Sequence, residues 1–416
     1  MISPQTSKAG PQTTRDHVAA VSASFLGWTL DAFDFFLVIF CLTAIGKEFH
    51  KSDAQIALSV TLTLAFRPVG AFVFGLLADR YGRRIPMVAN LLFYSFAEVA
   101  TGFAPSYSTF MILRAIFGIG MGGNWGVGAS LAMEKVPARI RGLLSGFLQQ
   151  GYSLGYLIAA VCFFFLFDKT GWRPLFFIGG LPSLLSLFVL FRVKESEVWE
   201  KNKHESWMDL GRAITSHWKL FFYLVFLMMA MNFTSHGTQD MYPTFLERQW
   251  HFSPRERSAM TAFSNLGAII GGMVVGYLSD RYGRRRSMII SLLLAILVIP
   301  LWVYAPSIAL LAVGAFLMQF MTQGAWGVIP AHLAELSPNS VRAFLPGFAY
   351  QCGVLLASSV VYIEATFAEH VSYGTAMGLT GVTVFSLAAI MTALGRERKG
   401  AVFETSDVEA VQKAHG

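Results

Sequence analysis

Long apolar stretches recur along the whole chain and are separated by short polar or turn-forming segments. Six examples lie at residues 21–45, 87–104, 175–191, 220–232, 287–304 and 308–320. A helix needs about 20 predominantly apolar residues to cross a bilayer, and uniformly apolar stretches do not fit the alternating strands of a membrane barrel. The pattern therefore predicts an all-α membrane protein with twelve transmembrane helices, which we call spans 1 to 12.

The amino-acid composition also indicates that lipid surrounds part of the folded chain. Hydrophobic residues make up 54% of the 416 residues and charged residues 14%, against roughly 25% charged in ordinary soluble domains. The sequence contains no P-loop, metal cluster or nucleophile motif, and the spans leave no room for a soluble catalytic domain. We therefore expect no enzyme activity, no metal and no cofactor.

The net charge of +7 is distributed unevenly between the loops. Of the 32 lysines and arginines, the predicted topology places 23 on one side of the membrane and 7 on the other, and it leaves Arg67 and Arg114 inside spans. An excess of positive charge marks the cytoplasmic side. We expect both termini in the cytoplasm and the chain in a plasma or bacterial inner membrane, without a nucleic-acid partner. Arg248, Arg255 and Arg257 do not follow this rule, because the predicted topology places these three clustered arginines on the side with fewer positive charges.

The two halves of the chain repeat each other. The segment 75–84, which contains Asp-Arg-Tyr-Gly-Arg-Arg, recurs at 276–285 with an offset of 201 residues (280 − 79). The same offset aligns a second block at residues 125–150 with residues 326–351. A parallel duplication predicts two six-helix halves related by pseudo-twofold symmetry, with a site between them near the midplane. We place the halves at 1–192 and 218–416, joined by a cytoplasmic linker at 193–217 that is short and amphipathic.

The repeated loops predict a gate. Asp79 and Asp280 stand at helix ends beside clustered arginines, where a carboxylate can pair with a guanidinium and with the N-terminus of a neighbouring helix. Such contacts hold the halves together in one state and release them in the other. The candidate gating residues are Asp79, Arg80, Arg83, Glu134, Arg141, Asp280, Arg281, Arg284, Glu335 and Arg342.

Ionisable residues inside spans usually mark function, because each costs about 2.5–3.5 kcal/mol on insertion scales. Asp31 and Asp34 share one face of span 1, where two close carboxylates favour retention of a proton. Arg67 in span 2 can form a fork with a carboxylate of the substrate or with one of these aspartates. Glu98 in span 3 and Glu364 in span 11 are isolated in the sequence, and we expect structural or peripheral roles for both.

Span 7 carries the densest polar pattern. Asn232, Ser235, His236, Gln239 and Asp240 fall at i, i+3, i+4, i+7 and i+8, which places them on one stripe of a helix. Such a stripe faces a cavity or a partner helix, and histidine titrates near physiological pH.

The 201-residue offset pairs the two polar regions of the halves. Asp31 corresponds to Asn232 and Asp34 to Ser235, so we expect the two stripes to line one central cavity. Other candidates for its lining are Trp125, Gln149, Gln150, Tyr152, Gln323, Trp326 and Gln351.

At the level of motifs, the chain resembles the major facilitator superfamily over nearly its whole length. The two Asp-Arg-Tyr-Gly-Arg-Arg loops resemble the signature loop after helices two and eight of that superfamily, and the run Glu134–Pro137–Arg141 resembles its loop after helix four. Arg114, followed by Gly118, Gly120 and Gly122, resembles the helix-four motif, whose arginine is implicated in proton coupling.

Residues 232–244 narrow the resemblance further. They match the pattern N-x-x-S/T-H-x-S/T-Q-D-x-x-x-T of the sialate:proton symporter family, which includes Jen-like lactate and pyruvate carriers. The resemblance implies carboxylate recognition and proton coupling by Asn232, His236, Gln239 and Asp240. The linker has no room for the extra helices of sialic acid carriers, which favours a small monocarboxylate.

The sequence therefore predicts a proton-coupled symporter for a small organic anion such as lactate or pyruvate, driven by a proton gradient and working as a monomer. Arg67, Asn232, His236, Gln239, Trp125, Gln323, Trp326 and Gln351 are the substrate candidates, and Asp31, Asp34, Arg114, His236 and Asp240 the proton-coupling candidates. An aromatic-acid or sialic-acid symporter is the alternative; the pattern Asp31-Ala-Phe-Asp34 resembles that of aromatic-acid symporters, with Ala32 in place of their glycine. A transport-like sensor is disfavoured because the tail from Arg396 is short.

Overall fold

A computed structural model of the chain describes residues 11–204, 206–357, 363, 366–368 and 370–403. The described residues are almost entirely helical. The first half contains eight helices: α1 (Pro11–Phe49), α2 (Asp53–Tyr81), α3 (Arg84–Gly102), α4 (Tyr107–Lys135), α5 (Arg141–Gln149), α6 (Gly151–Thr170), α7 (Arg173–Ile178) and α8 (Pro182–Arg192). Two short helices follow, α9 (Glu197–Asn202) and α10 (Trp207–Ser216). The second half contains α11 (Trp218–Gln239), α12 (Tyr242–Arg248), α13 (Pro254–Tyr282), α14 (Arg284–Val303), α15 (Ile308–Leu336), α16 (Phe344–Ala357) and α17 (Tyr373–Leu394).

Within the described residues, eleven helical segments are long and apolar enough to cross a membrane, and the apolar helix α16 adds a shorter one. Three of the eleven are interrupted: α5 with α6, α7 with α8, and α11 with α12 each form one crossing from two helices. Large apolar side chains such as Phe96, Phe164 and Leu297 are exposed on the outside of the bundle, where lipid covers them. The chain is an integral membrane protein built as an all-α bundle.

The repeated loops share one backbone conformation. Gly82 and Gly283 end α2 and α13 with φ of 102° and 105°, a region in which other residues are strained. Each glycine lets the chain turn directly into the next helix, α3 or α14, and so places the arginines of the motif at its start. The backbone conformation therefore explains why glycine occupies this position of the Asp-Arg-Tyr-Gly-Arg-Arg motif in both halves.

The halves pack against each other through α2 with α16 and through α5 with α13 and α15. The backbones of the two halves touch at several points, one of them at Gly126 of α4, where an added Cβ would lie 2.7 Å from the Cα of Gly347 in α16. These contacts lie toward the membrane end that carries the repeated loops, which we call the closed end.

The close contact between the halves makes a prediction. Gly126→Ala is expected to push α4 from α16 and to lower the population of the closed arrangement roughly 10-fold or more, since overpacking costs about 1–3 kcal/mol. Electron paramagnetic resonance distances between spin labels at Arg139→Cys and Arg286→Cys, made in a variant without the three native cysteines, measure this separation. Gly128→Ala is the matched control, because its Cβ meets nothing nearer than 3.6 Å. Equal distance distributions for the two alanine variants would contradict the prediction.

Candidate functional site

The closed end is held by two pseudo-symmetric charge networks. Asp79 accepts hydrogen bonds from the backbone nitrogens of Ala343 (3.1 Å) and Phe344 (2.9 Å) at the start of α16, and it pairs with Arg83 at 2.6 Å. Arg83 also pairs with Glu134 at 2.9 Å. The partners predicted for Asp79, a guanidinium and a helix N-terminus, are both confirmed, and the helix belongs to the other half.

The second network repeats the first. Asp280 accepts hydrogen bonds from the backbone nitrogens of Gly142 (2.8 Å) and Leu143 (2.9 Å) at the start of α5, and it pairs with Arg284 at 2.8 Å. Arg284 in turn pairs with Glu335 at 2.9 Å. Because α5 belongs to the first half, this network also joins the halves.

Two further arginines cross between the networks. Arg141 of the first half pairs with Glu335 of the second at 3.0 Å, and Arg342 of the second approaches Glu134 of the first to 3.5 Å. Arg80 and Arg281 are placed differently from the other gating candidates, since each lies over the ring of its neighbouring tyrosine and Arg80 donates to the carbonyl of His204. The two outer arginines therefore contact the surface around the gate rather than its carboxylates.

At mid-depth, aromatic residues from both halves surround Tyr350 of α16. Its ring lies 4.6 Å from that of Trp125 and 6.0 Å from that of Trp326, and the guanidinium of Arg67 lies 6.0 Å above it. Trp125 donates a hydrogen bond to Gln149 at 3.4 Å. We call this group, Arg67, Trp125, Trp326 and Tyr350, the central cluster.

The central cluster holds buried polar atoms without protein partners. Within the described part of the chain, Nε and Nη2 of Arg67 and Nε1 of Trp326 find no hydrogen-bond acceptor, and Arg67 is 4% exposed. Gln351, next to Tyr350 in α16, is also buried, with neither side-chain atom hydrogen-bonded to a described residue. A buried guanidinium in this condition is costly unless an acceptor reaches it.

In the first half, three buried carboxylates lie near two arginines, Arg114 and Arg67. Arg114 of α4 forms a very short ion pair with Glu98 of α3 and also hydrogen-bonds Thr101 at 3.2 Å. A Cβ placed on Gly179 would lie 2.4 Å from Cγ of Glu98 and 2.7 Å from Oδ1 of Asp34, so those two side chains are neighbours. Asp31 lies within electrostatic reach of both Asp34 and Glu98. We call these residues, Asp31, Asp34, Glu98 and Arg114, the acid cluster.

The acid cluster corrects one expectation and refines another. Glu98 is not isolated in the structure, since it is the ion-pair partner of Arg114; this pair is compatible with a structural role, one of the two roles expected for it, but not with a peripheral position. Asp31 and Asp34 are fully buried, and their carboxylate oxygens have no hydrogen-bond partner among the described residues. No hydrogen bond therefore links Arg67 to either aspartate, although Arg67 lies within electrostatic reach of Asp31. Glu364 lies outside the described residues.

In the second half, the polar stripe of α11 packs partly against α15. Gln239 donates to Gln319 at 2.8 Å, and Gln323 donates to Ser235 at 3.4 Å. Asn232 is buried and donates to the carbonyl of Met228 within its own helix.

The end of the stripe is more accessible. His236 contacts Asp240 at 2.9 Å, and their side chains are 37% and 36% exposed. Tyr152 of α6 lies within electrostatic reach of Arg67, Asp31 and Asp240, so it stands between the polar regions of the two halves.

Several residues of the site were not singled out from the sequence. Tyr350 corresponds to Gln149 under the 201-residue offset. Because Gln149 was a candidate for the cavity lining, the offset could have indicated that Tyr350 lies at the same depth. Gln319 gave no such signal, and neither did Tyr94, which is buried within electrostatic reach of Asp31, Asp34 and Glu98, because single polar residues in apolar helices are common. His332 of α15 is fully buried without a hydrogen-bond partner among the described residues, and its helix position alone did not distinguish it.

Comparison with known proteins covers nearly the whole chain. A family profile described as Major Facilitator Superfamily matches residues 24–247 and 240–412. The chain is 30% identical to the inner membrane metabolite transport protein YhjE of Escherichia coli, over 91% of this chain and 93% of that one. It is 27% identical to the sialic acid transporter NanX of Escherichia coli, over 93% and 96%.

A carboxylic acid transporter protein homolog of Saccharomyces cerevisiae is 28% identical over 83% of this chain, which spans 60% of that longer relative. Among solved structures, the proton:xylose symporter XylE superposes with a TM-score of 0.78 at 19% identity, covering 96% of this chain and 99% of XylE. The likeness to XylE concerns the fold alone.

Proposed function

The chain belongs to the Major Facilitator Superfamily, in a group like the sialate:proton symporters, and on that premise we propose that it carries a small organic anion across the membrane together with a proton. It is a transporter and not an enzyme. The favoured substrate is a monocarboxylate such as lactate or pyruvate.

The observation that carries the proposal is the state of Arg67. Its guanidinium lies between the halves, is buried, and has two nitrogens without an acceptor among the described residues. A planar guanidinium binds a carboxylate through two parallel hydrogen bonds. A substrate carboxylate at this position meets Arg67, while its apolar part lies against the rings of Trp125, Trp326 and Tyr350.

The acid cluster is the proposed proton site. Three ionised carboxylates, offset by Arg114 and by the nearby Arg67, amount to a local charge of about −1 in a medium that solvates charge poorly. One of these carboxyls therefore holds a proton in this arrangement. When Arg114 pairs with a carboxylate, the ionised form of that group is favoured; when the pair separates, retention of the proton is favoured. The contact between His236 and Asp240 is a second place where a proton can be held on the way in.

The proposed orientation follows the charge distribution. The closed end carries the arginine-rich loops, so we assign it to the cytoplasmic side, together with both termini and the linker 193–217. The two halves, 1–192 and 218–416, work together within one monomer. A proton and then an anion enter from the opposite side. Binding weakens the contacts of the closed end and the two halves rock relative to each other. The proton and the anion are then released into the cytoplasm.

One observation favours a second substrate class. The three rings around Arg67 offer flat apolar surfaces, which suit an aromatic or unsaturated acid as well as a small one. Related proteins include a cis,cis-muconate transport protein of Acinetobacter baylyi, 25% identical over 95% of this chain and 97% of that one. An aromatic acid is therefore the alternative, and sialic acid a third case.

Uptake into proteoliposomes tests the proposal. We expect labelled lactate, pyruvate or a benzoate to accumulate with an inward proton gradient and to fall at least about 10-fold when the gradient is collapsed, while acetate, succinate and sialic acid define the size limit. His236→Ala should lose most of this driven uptake. Arg139→Gln, an exposed arginine of the closed end, is the matched control and should keep it. Undiminished uptake without the gradient, or in His236→Ala, would contradict proton coupling.

A further inference from the structure

A cavity of about 1110 Å³ opens on the outside of the bundle, between the beginning of α1 and the end of α8 at the closed end. Its walls are apolar and include Val18, Phe188 and Phe191, all exposed. Since this surface lies at the edge of the membrane-crossing helices, lipid is the medium in contact with it. None of the residues assigned to substrate, proton or gate lines the cavity.

The rim of the cavity is basic. Arg15, Arg192 and Lys194 line it together with one acid, Asp16, which pairs with Lys194 at 2.9 Å. Among the described residues, Arg15 and Arg192 form no ion pair and remain exposed. The rim therefore carries about two uncompensated positive charges directly above an apolar groove, the combination by which basic pockets between membrane helices bind anionic lipid headgroups.

We propose that this cavity binds one anionic phospholipid of the adjoining leaflet. Its phosphate lies at Arg15 and Arg192, and an acyl chain lies against Val18 and Phe191. The site adjoins the gate, because three residues beyond Arg192 the carboxylate of Glu195 accepts hydrogen bonds from the backbone nitrogens of Arg83 (2.8 Å) and Arg84 (3.1 Å).

The test compares lipids on the purified full chain in detergent. Titrated phosphatidylglycerol should bind by native mass spectrometry and raise the unfolding temperature, whereas phosphatidylcholine should do neither. Arg15→Gln with Arg192→Gln should weaken binding of phosphatidylglycerol about 30-fold, since each basic residue near a membrane surface contributes roughly a fivefold step in affinity.

Arg139→Gln with Arg286→Gln removes two exposed arginines from the same membrane end and should leave the lipid effect unchanged. Glycerol phosphate, which has the headgroup charge without acyl chains, should have no effect. Equal responses to the two phospholipids, an equal loss in the control pair, or an equal effect of glycerol phosphate would each overturn the proposal.

A different observation carries a second inference. The ring of Phe403, which follows α17 in the chain, is 4% exposed and lies 3.8 Å from the guanidinium of Arg141 and 3.8 Å from that of Arg342. The segment is also tied by backbone contacts, since Arg141 donates to the carbonyl of Ala401 at 3.0 Å and the nitrogen of Gly400 donates to Glu335 at 3.3 Å.

We infer that the segment 400–403 is a latch that stabilises the closed end. Arg141 belongs to the first half and Arg342 to the second, so one ring can contact both guanidinium groups only while the halves are together. Opening separates the arginines and removes at least one of the two cation–π contacts. The latch therefore biases the carrier toward the state that is closed at this end.

Spin-label distances between Arg139→Cys and Arg286→Cys, in the cysteine-free variant, measure the effect. Phe403→Ala should raise the ratio of open to closed populations about 10-fold, because it removes at least one buried cation–π contact that only the closed state makes. Phe403→Trp should keep the closed state, and Val402→Ala, at an exposed neighbouring residue, is the matched control. A distance distribution for Phe403→Ala that equals that of Val402→Ala would overturn the latch.

Discussion

Replacing Arg67 by glutamine is expected to weaken binding of the organic anion about 100-fold or more, because a buried charge-assisted fork contributes roughly 1.5–3 kcal/mol per hydrogen bond. Glutamine keeps much of the length but loses both the charge and the paired donors. Lysine restores the charge without the fork, so Arg67→Lys should fall between glutamine and the parent chain.

The measurement is the KM for uptake of whichever acid the substrate panel identifies, together with the binding affinity of the detergent-solubilised chain. The two readouts separate a loss of binding from a loss of movement. Arg139→Gln, at an exposed position of the closed end, is the control and should leave both values unchanged. If Arg67→Gln bound and transported the anion normally, the central cluster would not be the substrate site.

Glu98→Ala is expected to destabilise the protein by about 3–5 kcal/mol, because it leaves Arg114 as a buried charge without its ion-pair partner. Glu98→Gln retains a hydrogen-bond acceptor and should cost less. The double variant Glu98→Ala with Arg114→Leu removes both charges and should recover much of the stability. Thermal unfolding of the purified chain in detergent orders the three variants.

The same variants separate structure from coupling. In the double variant, exchange of labelled for unlabelled substrate across the membrane should persist, while accumulation driven by a proton gradient should be lost. If the double variant still accumulated substrate against its gradient, the acid cluster would be structural only. If it were less stable than Glu98→Ala, the buried charge would not be the cause of the instability.

Much of the architecture could be predicted from the order of residues. Span length depends on the thickness of the bilayer, and the duplication is visible as one shared offset. The first contact of Asp79 and of Asp280, an ion pair with an arginine, followed from the position of a carboxylate at a helix end beside clustered arginines. The second contact of each, a helix N-terminus supplied by the opposite half, was implied by the symmetry but located only by the fold.

The interrupted spans were not predicted. The crossing at 173–192 breaks after Ile178, at Gly179, and this break lets Glu98 and Asp34 approach the backbone there. Hydropathy averages over such breaks, because the residues on both sides remain apolar. The pairing of Glu98 with Arg114 was missed for a related reason, since it depends on the rotation of α3 and α4 about their axes.

The sequence by itself determined that the chain crosses the membrane as a duplicated bundle, where its two repeated loops lie, and which polar residues lie within membrane-spanning segments, since each of these depends on local composition and spacing. The tertiary structure decided which of those residues meet. It placed Arg67 beside Tyr350 rather than on Asp31, joined Glu98 to Arg114, and brought Phe403 between two arginines 201 residues apart. Such meetings depend on packing angles between distant helices, and those angles are set by the summed contacts of whole helix faces rather than by any local run of residues.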